Sequence, residues 1–167
     1  AKRLFVAEAA ASVGGGTLLD VGANTGYFTY AASDGFDHCL AIDVDAGAVD
    51  RLYQRLSAAD EDVPITPLVV DLLSPTPAIG WGNSERRSFL DRADADLSLW
   101  LAVLHHLTIT GGVPLSHSLD LAASVSRHAV IEFVMPSDPM VELISASASP
   151  DAAPYDEPTF ISELEDR

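Results

Sequence analysis

Apolar residues along the chain fall into two patterns that alternate: runs of four to six, and longer stretches in which they recur at helical spacing. Ala1 to Ser12 is Ala-rich with Leu4, Phe5 and Ala9 at helical spacing, predicting a helix that Gly14-Gly15-Gly16 stops. Thr17 to Val21 reads as a first strand, followed by a Gly-rich turn and a helix over Tyr27 to Ser33. The unit repeats with a strand over Cys39 to Ile42 ending at Asp43, then a helix over Ala46 to Ala59 that places Val49, Leu52, Tyr53 and Leu56 on one face. A third strand, Ile65 to Val70, ends at Asp71, and Ser74 to Gly82 forms a loop.

The second half continues with a short charged helix over Ser84 to Arg92, a fourth strand over Asp96 to Leu101 and a helical turn over Ala102 to Leu107. After the Gly111-Gly112 break come a helix over Leu115 to Ser124 and a fifth strand over Ala129 to Val134. Ser137 or Asp138 is placed to cap the next helix, with Pro139 in its first turn, where a missing N–H costs nothing. Pro150 to Pro158 reads as a loop and Thr159 to Glu165 as the start of a last helix. Strands alternating with helices at this spacing need crossover connections, hence an α/β fold with a doubly wound, mostly parallel sheet covered on both faces. One domain over residues 1–167 is expected, since no internal repeat or second domain is visible.

Composition narrows the function classes. Nine Lys and Arg against 25 Asp and Glu leave a formal charge of −16, a field that repels a phosphate backbone and disfavours nucleic-acid binding. Cys39 is the only cysteine, so no intrachain disulfide forms, and its apolar neighbours suit a buried thiol rather than a nucleophile. No apolar run approaches the roughly 20 residues of a membrane span, and the amino end lacks a signal-peptide layout. A cytoplasmic protein without membrane contact is the expectation. The chain opens at Ala1 already in helical pattern, which suggests a trimmed or processed fragment.

In sheets of this kind ligands bind beyond the carboxyl ends of the strands. The stretch Leu18-Leu19-Asp20-Val21-Gly22-Ala23-Asn24-Thr25-Gly26-Tyr27-Phe28 joins the first strand to its helix. Gly22 and Gly26 permit a sharp turn and close approach of a ligand, and Asn24 is among the few other residues that tolerate a left-handed conformation. A dinucleotide fingerprint places its third glycine where this chain has Tyr27, so the motif is not a good one of that kind. Taken alone, the turn also fits an unrelated α/β protein. Asp43, two acceptor oxygens at a strand end, is placed to accept both hydroxyls of a ribose, whereas Asp45 reads as a helix cap.

The glycine turn resembles motif I of the class I S-adenosyl-L-methionine (SAM)-dependent methyltransferases, an acidic residue followed by G-x-G-x-G, with Asn24 in place of the middle glycine. That resemblance implies a Rossmann-like core in which Asp20, Gly22, Ala23, Asn24, Gly26, Asp43 and Val44 belong to the SAM site. Asp71, with Leu72 beside it, resembles the residue that accepts a hydrogen bond from the adenine amino group. The segment Asp96-Leu97-Ser98-Leu99-Trp100-Leu101-Ala102-Val103-Leu104-His105-His106-Leu107 is similar to the region after the fourth strand in many small-molecule methyltransferases. It implies that Trp100 and Leu101 line the pocket and that His105 faces ligand or acceptor. The alternative for either histidine is a helix cap or a hydrogen-bonded surface residue. Glu132 is a candidate acceptor-side carboxylate, or equally a structural acid paired with Arg127 or another base. A metal site is disfavoured because adjacent histidines diverge on a helix and no Cys or acidic partner has ligand spacing. His38, His117 and His128 read as surface or strand-edge residues.

Gly80-Trp81-Gly82-Asn83-Ser84-Glu85-Arg86-Arg87-Ser88, the His-His segment with Val113-Pro114-Leu115, and Ile131-Glu132-Phe133-Val134 with Asp138-Pro139-Met140-Val141 are similar to a nodulation-protein-like branch of these methyltransferases. The full class I sheet has seven strands, so the resemblance implies that the final antiparallel hairpin and an amino-terminal acceptor-binding segment lie outside this chain. That leaves an exposed sheet edge beside the fifth strand, or a homodimer paired through it. The implied function is methyl transfer from SAM to an unidentified, small-molecule acceptor. The rivals are a nucleotide-dependent oxidoreductase using Asp43 in the same sheet, and a SAM-binding module without catalysis.

Overall fold

The structure, a computed structural model, describes residues 1–59, 63–147 and 153–165. Five strands form one sheet: β1 (Gly15–Val21), β2 (Phe36–Asp43), β3 (Ile65–Val69), β4 (Ala95–Trp100) and β5 (Ser126–Ile131). Their order is β3-β2-β1-β4-β5, and every adjacent pair is parallel. Chain order reverses between β1 and β4, which opens a crevice at the carboxyl ends of those two strands.

Alternation along the strands sorts their side chains into two cores. Leu19, Val21, Ile42 and Trp100 face one side, packed by α4 (Phe89–Arg92), α5 (Leu115–Val125) and α7 (Glu157–Glu165). Leu18, Cys39, Ala41, Leu97 and Leu99 face the other, under α1 (Lys2–Val13), α2 (Tyr27–Ala32) and α3 (Ala46–Ser57). The predicted doubly wound sheet, covered on both faces, is therefore present. Cys39 is fully buried, and burial pushes its thiol up to about 12, as suits an inert core residue.

Several elements differ from the sequence expectation. In α1 the buried stripe is Val6 and Ala10, while Leu4 and Phe5 face out. In α3 Ala48, Val49 and Leu52 are buried but Tyr53 is exposed, one position off the contact face. The charged helix over Ser84 to Arg92 shrinks to α4, because Ile79 and Arg86 exchange backbone hydrogen bonds of 3.0 and 3.1 Å across an antiparallel bridge. Ser88 then caps α4 by accepting from the Asp91 amide.

Strand β5 begins and ends three residues earlier than expected. Its partner β4 stops at Trp100, whose carbonyl accepts from the Glu132 amide at 3.0 Å; beyond that point no pairing remains. Arg127, His128 and Ala129 lie exposed on β5, and no further strand pairs with this edge among the described residues. Helix α6 (Pro139–Ser145) is capped by Asp138, which accepts from the Met140 amide at 2.8 Å, with Pro139 at its start. Of the expected loop from Pro150 to Pro158, residues 150–152 lie outside the described residues, and α7 already starts at Glu157. No described helix is long and apolar enough to cross a membrane.

Candidate functional site

Strand β1 ends at Val21 and the chain turns through three left-handed residues, Gly22 (φ 69°), Asn24 (φ 50°) and Gly26 (φ 76°), before α2 begins. Space as well as φ requires the glycines. A Cβ on Gly22 would stand 2.7 Å from Val103 Cγ2, and one on Gly26 would stand 2.8 Å from Leu52 Cδ1. The turn is fastened to β2 by the Ala23 amide, which donates to the Ile42 carbonyl at 3.0 Å.

Asp43 closes the arrangement. Its Oδ2 accepts from the Asn24 amide at 2.7 Å and its Oδ1 from the Asp45 amide at 2.9 Å, so the carboxylate is held fixed with one lone-pair direction open on each oxygen. Asp45 caps α3 through the Gly47 amide at 2.8 Å. Asp71, after β3, accepts from the Leu73 amide at 2.9 Å and is likewise oriented by backbone.

These groups border a cavity of about 540 Å³ at the carboxyl ends of the strands, within the range of small-molecule sites. Six of the residues singled out from sequence line it: Gly22, Asn24, Asp43, Val44, Asp71 and Leu72. The remaining wall comes from Val21, Ile42, Val70 and Leu73 on one side and Ala102, Val103, His106, Leu107 and Thr110 on the other. Sequence reasoning pointed to this segment but singled out Trp100, Leu101 and His105 in it rather than these residues. Its local signal is weak: Ala102 takes a left-handed φ of 58°, uncommon for alanine, and a π-turn over His106–Thr110 replaces the expected helical turn. Apolar side walls with two carboxylates at the rim suit a flat heteroaromatic ring carrying hydroxyl or amino donors.

Five of the expected cofactor-site residues do not line the cavity. Asp20 is 2% exposed, with the Thr29 hydroxyl donating to its Oδ2 at 2.5 Å, and burial, reinforced by the charge of Asp43, pushes its carboxyl up to about 7. Ala23 and Gly26 serve the turn's backbone, Gly26 against Leu52. Trp100 is completely buried, its indole N–H donating to Ser98 Oγ at 2.8 Å, and Leu101 belongs to the core on the opposite face of the sheet. The side-chain alternation of β4 explains both placements.

Of the two histidines, it is His106 and not the expected His105 that meets the cavity. His106 is exposed on the cavity wall, whereas His105 is 6% exposed behind it, with ring centroids 4.2 Å apart. Nδ1 of His105 is buried and has no hydrogen-bond partner. Burial, with the neighbouring His106 charge second, holds the His105 pKa below the usual imidazole range, so the ring is neutral at neutral pH. Glu132 lies outside the cavity and pairs with Lys2 at 2.6 Å, and Arg127 turns instead to Asp96 at 3.6 Å. Lys2 also stands 4.8 Å from the Phe28 ring centroid, tying the first turn of α1 to α2 and the end of β5. His38, His117 and His128 are exposed, and among the described residues no three acidic, His or Cys side chains are grouped to hold a metal.

No family model matches the chain. It is 35% identical over 164 residues to the nodulation protein NoeA of Rhizobium meliloti (strain 1021), an alignment covering 98% of this chain and 34% of that protein. The chain thus spans about a third of that relative's length. Among solved structures, the N-methyltransferase NodS of Bradyrhizobium japonicum WM9 superposes with a TM-score of 0.65 at 18% identity, covering 99% of this chain and 79% of that one. Magnesium protoporphyrin IX methyltransferase of Synechocystis PCC 6803, with bound S-adenosylhomocysteine, gives 0.62 at 16% identity over 99% and 72%. A geranyl diphosphate methyltransferase in complex with SAM gives 0.64 at 16% over 99% and 62%. The chain shares its fold with these methyltransferase structures, and by sequence it is similar to NoeA along nearly its whole length.

Proposed function

We propose that this chain is a single SAM-binding core that serves methyl transfer to a small-molecule acceptor. The observation that carries the reading is the convergence of the Gly22–Asn24 turn, Asp43 and Asp71 on one cavity at the point where strand order reverses. The likeness to NoeA and to methyltransferase structures holding SAM or S-adenosylhomocysteine supports it.

The residues fit an adenosyl group. The two open lone-pair directions of Asp43 match a vicinal diol, and Asp71 offers a carboxylate to an exocyclic amine. Ile42, Leu72, Val103 and Leu107 supply apolar surface to both faces of a purine. When bound, SAM supplies a methyl group on a cationic sulfonium, open to in-line displacement. The protein's part is to position donor and acceptor and to exclude water. Asp20 lies beneath the turn and acts through it rather than by touching ligand. If the acceptor nucleophile carries a proton, His105 and Glu132 are the candidate bases carried over from the sequence, although neither lines the cavity and it is His106 that does. Pairing of the free β5 edge with a second copy belongs to the same proposal.

The test is calorimetric titration with SAM, S-adenosylhomocysteine and NADH, followed by an acceptor screen with methyl-labelled SAM. Binding of the two adenosyl-sulfur compounds and not of NADH is expected. Binding of NADH in their place would overturn the reading.

A further inference from the structure

On the assumption that the cavity takes an adenosyl ligand, we infer that Arg55 is a positioning residue for that site, acting from outside the cavity. Arg55 lies on the last turn of α3, its Nη2 donating to the Thr25 carbonyl at 2.8 Å and its guanidinium lying 4.2 Å from the Tyr30 ring centroid. Thr25 is the residue between Asn24 and Gly26, both left-handed. The planar guanidinium thus bridges two points, the crown of the turn and the first helix beyond it.

The contact completes a closed circuit. From Asp43 the chain runs through the Asp45 cap into α3; from the far end of α3 Arg55 reaches back to Thr25; and the next residue back, Asn24, donates its amide to Asp43. Leu52, one turn earlier on α3, packs beneath Gly26 and fixes the turn from below. Arg55 therefore restrains the turn at Thr25 and, through it, holds the neighbouring Asn24 amide in line with the Asp43 carboxylate. Without it, the same bonds form in only part of the ensemble, and ligand affinity falls by that fraction.

Loss of an exposed arginine with only a structural role would shift global stability slightly and leave ligand affinity alone. Arg55→Ala is expected to weaken S-adenosylhomocysteine binding about five- to tenfold, to speed amide hydrogen exchange at Asn24 and Gly26, and to leave the thermal midpoint of the free protein nearly unchanged. Arg55→Lys, which keeps the charge and a donor but not the planar fork, should recover part of the affinity. Arg51→Ala, removing an equal charge from the same helix where it pairs with Asp45 at 3.8 Å, should bind like the parent. S-adenosylhomocysteine lacks the sulfonium charge, so long-range attraction to an acidic protein does not confuse the comparison.

Unchanged affinity and exchange in Arg55→Ala, or an equal loss in Arg51→Ala, would overturn the inference. Failure of the parent protein to bind the ligand would instead overturn the functional reading, while the exchange measurement still judges Arg55.

Discussion

On the β1–β2 side of the cavity the polar groups are engaged: Asp43 holds two backbone amides, Asp71 one, Asp45 caps α3, and Arg55 ties down Thr25. Beyond β4, among the described residues, the buried atoms His105 Nδ1, Thr108 Oγ1 and Ser118 Oγ have no hydrogen-bond partner, and none of these residues lines the cavity. The first side is complete without a ligand, as a binding site must be if its affinity is not to be spent on ordering the protein. The second side carries polar groups whose desolvation is uncompensated, each costing about 1–3 kcal/mol, arranged around an irregular π-turn. The contrast is between a wall fixed by hydrogen bonds and one whose polar groups are not.

The largest expected effect lies beneath the ordered wall. Below about pH 4 the Asp20 carboxyl is protonated in folded and unfolded protein alike; between about pH 4 and 7 only the unfolded form ionises, so stability falls, and above the folded value near 7 the loss is complete. A rise from 3.8 to about 7 corresponds to about 4 kcal/mol. Asp20→Asn should remove that pH dependence, so that its denaturant midpoint exceeds the parent's at alkaline pH by more than at acid pH. Parallel profiles for the two proteins would show that no charge is buried there.

Gly26→Ala comes next. A left-handed alanine whose methyl meets Leu52 at 2.8 Å should destabilise the fold by about 2–4 kcal/mol in thermal unfolding, summing backbone strain and overpacking. An undisturbed midpoint would mean the turn is looser than the ordered wall requires. Asp43→Ala should weaken S-adenosylhomocysteine binding by about 1.5–3 kcal/mol in calorimetry, the range for hydrogen bonds to a charged group. An unaltered affinity would remove Asp43 from the site.

His105→Leu probes the opposite wall and should break the symmetry between stability and function. Exchanging a buried, unpartnered imidazole for an apolar side chain should leave thermal stability unchanged or raise it by about 1 kcal/mol, while slowing turnover of any acceptor that must lose a proton. A marked loss of stability would show that His105 is a structural residue with a satisfied ring.

How much of this was legible in the sequence follows the same division. The turn from Asp20 to Gly26, Asp43 and Asp71 could be read because glycine, asparagine and strand-end aspartate each answer a local demand: a positive φ, a close approach, an oriented carboxylate. The wall from Ala102 to Thr110 could not. Alanine at a positive φ leaves no mark in the sequence, and whether His105 or His106 meets the cavity depends on how far the chain rotates on leaving β4. Trp100 and Leu101 were expected in the pocket from the resemblance of their segment to methyltransferases, but alternation at the end of β4 sends one into each core. Short-range errors had the same origin. Tyr53 satisfies helical spacing yet misses the sheet, and the residues of the expected helix before α4 are drawn into the Ile79–Arg86 bridge.

The most direct measurement of the central claim is the set of backbone amide chemical shifts that change when S-adenosylhomocysteine is added. Changes centred on Gly22, Asn24, Val44 and Leu72, on three separate loops, are the predicted result, because a ligand lying across the strand ends in this cavity touches all of them. Changes gathered instead at Thr17, His38 and Asp94, around the smaller cavity of about 230 Å³, or no change at saturating ligand, would contradict it.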